Sequence, residues 1–239
     1  MCGRYSLTAT SGALAEHFQV LKSIRTQPRY NIPPGQKILN IVERADGTRK
    51  AVNLWWGLVP PWAKDRKIGW KLSNARRETL TEKPAFREAV KHQRCLIPAD
   101  GYYEWQQRAD GKQAFHIHRA DRGLFAFAGL WEQWQSGPEA LYSCTIITTA
   151  ANVRMQTVHE RMPVIIPPDQ YHAWLDKAAG ADAVLSLLEN DAYADITLTA
   201  VSDWVNKPQH DDAKCIEPYI IRNLVPLIYL AFLSIKNHF

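Results

Sequence analysis

The 239-residue sequence contains no C-x-x-C pair, no Gly/Ser-rich linker, no block of like charge and no apolar run long enough to cross a bilayer. Each absence excludes something. The apolar stretch LVPLIYLAFLSI, from Leu224 to Ile235, is shorter than the roughly 17 residues a spanning helix needs and is interrupted by Pro226. No membrane association is therefore expected. The N-terminus MCGRYSLTAT has no apolar h-region of the kind a signal peptide requires. The four cysteines, at 2, 95, 144 and 215, show no short disulfide-type spacing, which points to a reduced cytoplasmic compartment. His92/Cys95 and His210/Cys215 have irregular spacing and no C-x-x-C partner, so neither a metal site nor a cofactor is expected.

What is present suits one globular body. Hydrophobic residues make up 46% of the chain, nine of them Trp, and can supply a substantial core, while Pro and Gly are scattered rather than gathered into a boundary. The 29 Lys and Arg outnumber the 24 Asp and Glu, giving a net charge of +5, compatible with a polyanionic partner and insufficient alone to require one.

Leu14, Phe18 and Leu21 recur at helical spacing behind Ser11, predicting an N-capped amphipathic helix to about Lys22. KILNIVER and AVNLWWG flank the turn signal ADG and predict a hairpin. Residues 63–82 read as polar and irregular, and Pro84 at an N1 position ahead of Phe86, Ala89 and Val90 predicts a short helix. QRCLIPADGYYEWQQ, QAFHIHRA, LFAFAGLWEQW and LYSCTIITTA are β-branched and aromatic, with a hairpin around Ala109-Asp110-Gly111. Pro167-Pro168-Asp169 opens a helix with Tyr171, Trp174 and Leu175 on one side, and a helix over 182–189 precedes the strand ITLTAVS. Strands and helices do not alternate regularly. The expected class is α+β, with a curled, mostly antiparallel, barrel-like sheet core and peripheral helices.

Cys2 carries the most distinctive chemistry. Removal of Met1 would leave a free α-amine and a thiol on adjacent carbons. An α-amine titrates near about 7.7–8.0, against about 10.4 for Lys, so much of it is unprotonated at neutral pH and can attack a carbonyl. The resulting imine lies within reach of the same residue's sulfur, and ring closure to a five-membered thiazolidine makes a labile link persistent.

MCGR, SNARRET and VHERMP each place a chemically useful residue two positions before an arginine: Cys2/Arg4, Asn74/Arg76 and His159/Arg161. In extended backbone such pairs share a face, and guanidinium groups bind phosphate with a planar fork of donors. Within ADGYYEWQQ, alternation puts Glu104 on the face of Tyr102 and Gln106, opposite Tyr103 and Trp105, where it could act as a general acid and base. RYNIPPG and WGLVPPW set rigid Pro turns beside Tyr30, Trp56 and Trp62, walls that either stack bases or complete a core.

Taken in order, MCGR, RYNIPPG, WGLVPPW, SNARRET, RCLIPADGYYEW, FAGLW, TIITTAAN and VHERMPVI resemble the SRAP (SOS response-associated peptidase) family from residue 1 to about 218. That resemblance implies a single domain over 1–218, probing single-stranded DNA for abasic sites and forming a thiazolidine crosslink through Cys2. It also implies catalytic roles for Asn74, Glu104 and His159, DNA contacts for Arg4, Arg76, Arg161 and Trp62, no cofactor, and a monomer. Residues 219–239 depart from the pattern as an atypical apolar tail. An abasic-site lyase side activity and an autopeptidase activity releasing Met1 belong to the same expectation. The alternatives are an N-terminal-nucleophile cysteine hydrolase, in which the thiol attacks an amide, and a non-catalytic DNA-binding module.

Overall fold

A computed structural model describes residues 2–21, 24–135, 138–189 and 195–219. The architecture starts from the local hairpins. Strands β1 (Tyr5–Leu7) and β2 (Arg29–Ile32) precede β3 (Lys37–Glu43) and β4 (Arg49–Trp56), which pair antiparallel from Lys37↔Trp55 to Glu43↔Arg49. Their turn is closed by Asp46, which accepts from the Thr48 N–H at 2.9 Å, and by Gly47 at φ +76, where a side chain would be strained. After β5 (Asn74–Arg76) and β6 (Arg94–Ala99) comes a second hairpin of β7 (Gly101–Arg108) and β8 (Gly111–Arg119). It turns at Ala109-Asp110, with Arg108 opposite Gly111. Next are β9 (Phe125–Gln135), β10 (Ala140–Ala150), β11 (Arg161–Pro163), β12 (Ile165–Ile166) and β13 (Ile196–Ala200).

Five of these strands close on themselves in the order β10-β4-β3-β6-β9 and back to β10, every pair antiparallel except β4–β10. The closure removes free edges from the core sheet. A second, antiparallel sheet runs β13-β8-β7-β1-β2. This is the expected α+β arrangement with a mostly antiparallel barrel. Strand β10 does more than any other: along one edge it pairs first with β4 and then with β5, along the other first with β9 and then with β11. Its C-terminal end therefore brings together two segments far apart in sequence.

The helices are short and peripheral: α1 (Ser11–His17), α2 (Ala89–His92), α3 (Val153–Gln156), α4 (Tyr171–Leu175) and α5 (Ala181–Ser186). Arg94, buried at 3% exposure, holds two of them to the barrel. Its guanidinium donates to the carbonyls of Val90 (2.8 Å), Lys91, Trp174 (2.6 Å) and Asp176. The unpaired carbonyls at the ends of α2 and α4 are thereby satisfied. Trp174 is buried, and its indole N–H donates to the Cys95 carbonyl at 2.9 Å.

Several local expectations change. The first helix is capped by Thr10, not Ser11, and ends at His17, because Gln19 turns into the left-handed region at φ +54. Leu14 and Phe18 pack inward, whereas Leu21, expected on the same stripe, is 84% exposed. Lys22 lies outside the described residues. Pro84 does not begin a helix: residues 84–88 form turns, and only Ala89–His92 is helical. The segment read as irregular contains β5, three residues long and too short for alternation to show in sequence. Apart from Tyr219, the atypical tail lies outside the described residues. Among the described residues, no helix is long and apolar enough to cross a membrane.

Candidate functional site

Strand β7 carries the first piece of the site. It lies between β1, with Tyr5 opposite Tyr102, and β8, with Glu104 opposite Phe115. The alternation holds: Tyr102 belongs to the main core, while Tyr103 and Trp105 belong to a smaller cluster with Val201, Val205 and Cys215. Glu104 is carried inward with Tyr102 and is only 3% exposed. Burial raises its carboxyl above the ordinary 4.5, and a neighbouring amine and the His159 ring offset part of the effect. A carboxyl raised in this way keeps its proton to higher pH than an exposed one and can serve as acid or base.

Cys2 meets Glu104 from the chain's beginning. Its side chain is fully buried, and burial, reinforced by the negative charge of Glu104, pushes the thiol far above its ordinary value. The thiol is therefore held protonated. The Cys2 main chain is fixed by Asn74, whose Nδ2 donates to the Cys2 carbonyl at 2.9 Å. Asn74 is placed by β5, where it sits opposite Ile146 of β10. Its Oδ1 is buried and has no hydrogen-bond partner among the described residues, an acceptor oriented by the same amide plane that holds Cys2.

His159 follows α3, which is capped by Asn152 accepting from the Met155 N–H at 2.9 Å. The His159 N–H returns to the Met155 carbonyl at 3.0 Å, and its ring Nδ1 accepts the Arg161 N–H at 2.9 Å. The same Nδ1 lies 3.2 Å from the Arg161 carbonyl; the shorter contact, in which Nδ1 accepts, leaves the proton of the neutral ring on Nε2. Cys2, Asn74, Glu104 and His159, spread over more than 150 residues, thus form one cluster through contact and charge.

The arginines divide. Arg76 is exposed at the end of β5. Arg161 is engaged by Glu78 through two bonds of 2.7 and 2.9 Å and by the Thr148 carbonyl at 2.8 Å. Arg4 does not share the Cys2 environment: it donates to Asn31 at 2.7 Å and the Val205 carbonyl at 3.0 Å, with its guanidinium 5.7 Å from the Trp105 ring centre. Cys2 belongs to the main core and Arg4 to the opposite face of β7, so the i, i+2 pairing expected of a straight strand is not kept.

Trp62 is 57% exposed, its indole N–H reaching the Pro84 carbonyl at 3.3 Å. Sequence reasoning missed Trp70. It is 62% exposed, and its ring covers Gly35, where an added Cβ would lie 2.3 Å from the indole; its edge meets Trp55 at 6.4 Å. Lys64, Arg66, Lys67 and Lys71 are exposed between and beside these two indoles. Aromatic residues interleaved with cations were visible in WAKDRKIGWK, but the segment had been read only as polar. Among the described residues, no group of three or more His, Cys, Asp or Glu could hold a metal ion. Cys215 instead donates its S–H to the His210 carbonyl at 3.3 Å, and His210 stacks on Trp204.

Residues 1–208 match the family described as SOS response associated peptidase (SRAP). The chain belongs to the SRAP family. An SRAP relative, the abasic site processing protein YoqW of Bacillus subtilis (strain 168), is 43% identical over 227 residues, covering 92% of this chain and all of the relative. The abasic site processing protein HMCES of Gallus gallus is 34% identical, covering 83% of this chain and 68% of the relative. The same fold is seen in a crystal structure of a protein from Bacteroides thetaiotaomicron, at a TM-score of 0.82 and 23% identity over 92% of this chain and all of that one. The resemblance of the ordered motifs is thus matched by both sequence and fold.

Proposed function

We propose that this chain captures abasic sites in single-stranded DNA by bonding covalently through Cys2 once Met1 is removed. The observation that carries the reading is the Asn74–Cys2 hydrogen bond at 2.9 Å beside the buried Glu104. It holds a chain terminus, ordinarily the loosest part of a protein, in fixed register with an acid and base. The names of the relatives, abasic site processing proteins, support the substrate class.

The Cys2 amine attacks the C1′ aldehyde of the ring-opened sugar, Glu104 takes a proton from nitrogen and returns one to oxygen, and water leaves from the carbinolamine. The thiol then adds across the C=N bond, its proton passing to nitrogen, to close the thiazolidine. No oxidant or reductant is needed. The Asn74 Oδ1 accepts from a hydroxyl of the opened sugar, and His159 donates from Nε2 to the sugar oxygen or the adjacent phosphate and assists reversal. Because the imine also acidifies the C2′ proton, β-elimination is a competing lyase path. Arg76 and Trp62, with Trp70 and the neighbouring cations, offer the strand phosphate contacts and stacking surfaces. Arg161, bound internally, shapes a wall of the lesion site, whereas Arg4 is engaged on the opposite face of β7.

The test is to incubate Met1-processed protein with a uracil-containing oligonucleotide treated with uracil glycosylase and run a denaturing gel. A stoichiometric, heat-stable shifted band is expected, lost in Cys2→Ala and in protein that retains Met1. Absence of the band with processed wild type would overturn the proposal. A band persisting in Cys2→Ala without borohydride would move the chemistry to another amine.

A further inference from the structure

Glu78 lies in the 3-10 turn Arg77–Thr79, just past β5 and four residues after Asn74. Its carboxylate crosses to β11, where both oxygens grip Arg161: Nη1 donates to Oε1 at 2.7 Å and Nη2 to Oε2 at 2.9 Å. The same Nη2 donates to the Thr148 carbonyl on β10 at 2.8 Å. Thr148 is the residue at which β10 pairs with both neighbours, opposite Arg76 on one side and Pro163 on the other. The clamp therefore joins the strand that presents Asn74 to the segment that presents His159. Arg161 completes the link, since its backbone N–H is the donor to His159 Nδ1.

We infer that Glu78 is a positioning residue for the proposed crosslinking reaction. By bracing Arg161, it keeps the Arg161 N–H on His159 Nδ1 and so holds the ring as the Nε2–H tautomer facing the Glu104 environment. This rests on the reading of the site given above. Arg161 is only 12% exposed and the pair is bidentate, so loss of Glu78 also costs some stability, and rates and tautomer are compared per folded molecule. A positioning role predicts a larger change in chemistry than in folding. It also gives Arg161 a task inside the protein, since most of its donor fork is already occupied.

The test uses Met1-processed full-length protein with Glu78→Gln, Glu78→Asp, Arg161→Glu, and the charge-reversed pair Glu78→Arg with Arg161→Glu. Adduct formation and reversal are followed on abasic single-stranded DNA, and the His159 ring nitrogens by 15N NMR without DNA. Glu78→Gln is expected to slow formation or reversal roughly tenfold, as misplacement of a catalytic group does, and to move the His159 signals toward a mixture of tautomers. Glu78→Asp should recover part of both, and the reversed pair should exceed Arg161→Glu alone in rate. Wild-type rates and tautomer in Glu78→Gln would overturn the inference. So would a reversed pair that restores the tautomer but not the rate, which would assign Arg161 to direct phosphate contact. If wild type forms no adduct, the functional reading fails, while the NMR arm still decides whether Glu78 sets the His159 tautomer.

Discussion

Strand β7 carries buried polar groups on both faces, and the two faces treat them differently. On the Tyr103 and Trp105 side most groups are answered, the exception being buried His116, opposite Tyr103, whose Nδ1 has no partner among the described residues. The Tyr103 hydroxyl donates to the Tyr30 carbonyl at 2.6 Å, and the Trp105 indole N–H donates to Asn206 at 2.6 Å. Arg4 donates to Asn31, and the Asn31 amide donates to the carbonyls of Val205, Lys207 and His210. Asp211 accepts the N–H groups of Tyr30 and Asn31 at 2.5 and 2.9 Å. On the other side, Glu104 is pushed toward its neutral form, the Cys2 thiol is held protonated, and the Asn74 Oδ1 has no partner among the described residues. Satisfied polar networks fix a structure, whereas perturbed groups are poised to react. Under the proposed function, one side of the strand serves stability and the other chemistry.

The sharpest way to break that comparison is Glu104→Gln. Loss of the acid and base should slow adduct formation at least ~100-fold, the usual scale for such a group, measured by quenched gel time courses. Its effect on folding should have the opposite sign. A carboxyl whose folded value is raised penalises folding as pH climbs above the ordinary 4.5, and Gln escapes that penalty. The Tm at neutral pH should therefore be unchanged or higher; a clear fall would show that Glu104 is structural.

Asn31→Ala is the converse experiment on the other face. Removing the acceptor of Arg4 and the amide that ties β2 to the carbonyls of Val205, Lys207 and His210 should cost about 2 kcal/mol in denaturant unfolding. Adduct formation per folded molecule should be unchanged, and a matching loss of rate would mean that the two faces are coupled. A smaller effect is expected from acid. With the Glu104 carboxyl raised, adduct formation by wild type should fall with decreasing pH before the pH reaches 4.5, earlier than an ordinary carboxylate would produce. A rate limited only by the amine would instead decline from near pH 8 with no second inflection. The smallest change is Leu21→Ser, within about 0.5 kcal/mol because the side chain lies outside the core, whereas Leu14→Ala should cost about 2–5 kcal/mol.

Much of the fold was legible because it is local. Both hairpins follow from turn residues between alternating strands, and the inward path of Glu104 follows from period two in GYYEW. Tyr171, Trp174 and Leu175 pack inward as their helical spacing required. The missed features depend on distant partners. Strand β5 exists because β10 offers it an edge, and three residues show no periodicity of their own. The α1 stripe failed at Leu21 because Gln19 reverses the chain's course. The bond of Arg161 to Glu78, 83 residues away, has no signature in the sequence. Trp70 became part of a surface only where Gly35 left room for its ring.

The sequence by itself determined that removal of Met1 would leave an amine and a thiol on adjacent carbons of Cys2, a covalent relation independent of folding. It also determined which residues of β7 would face together, because strand alternation is set by backbone geometry. Only the tertiary structure decided that Glu104 would be raised, that Asn74 would hold the Cys2 carbonyl, and that Arg4 and Arg161 would bond inward while Arg76 stayed exposed. Those outcomes depend on desolvation and on hydrogen bonds between segments that meet only when β10 pairs along both of its edges.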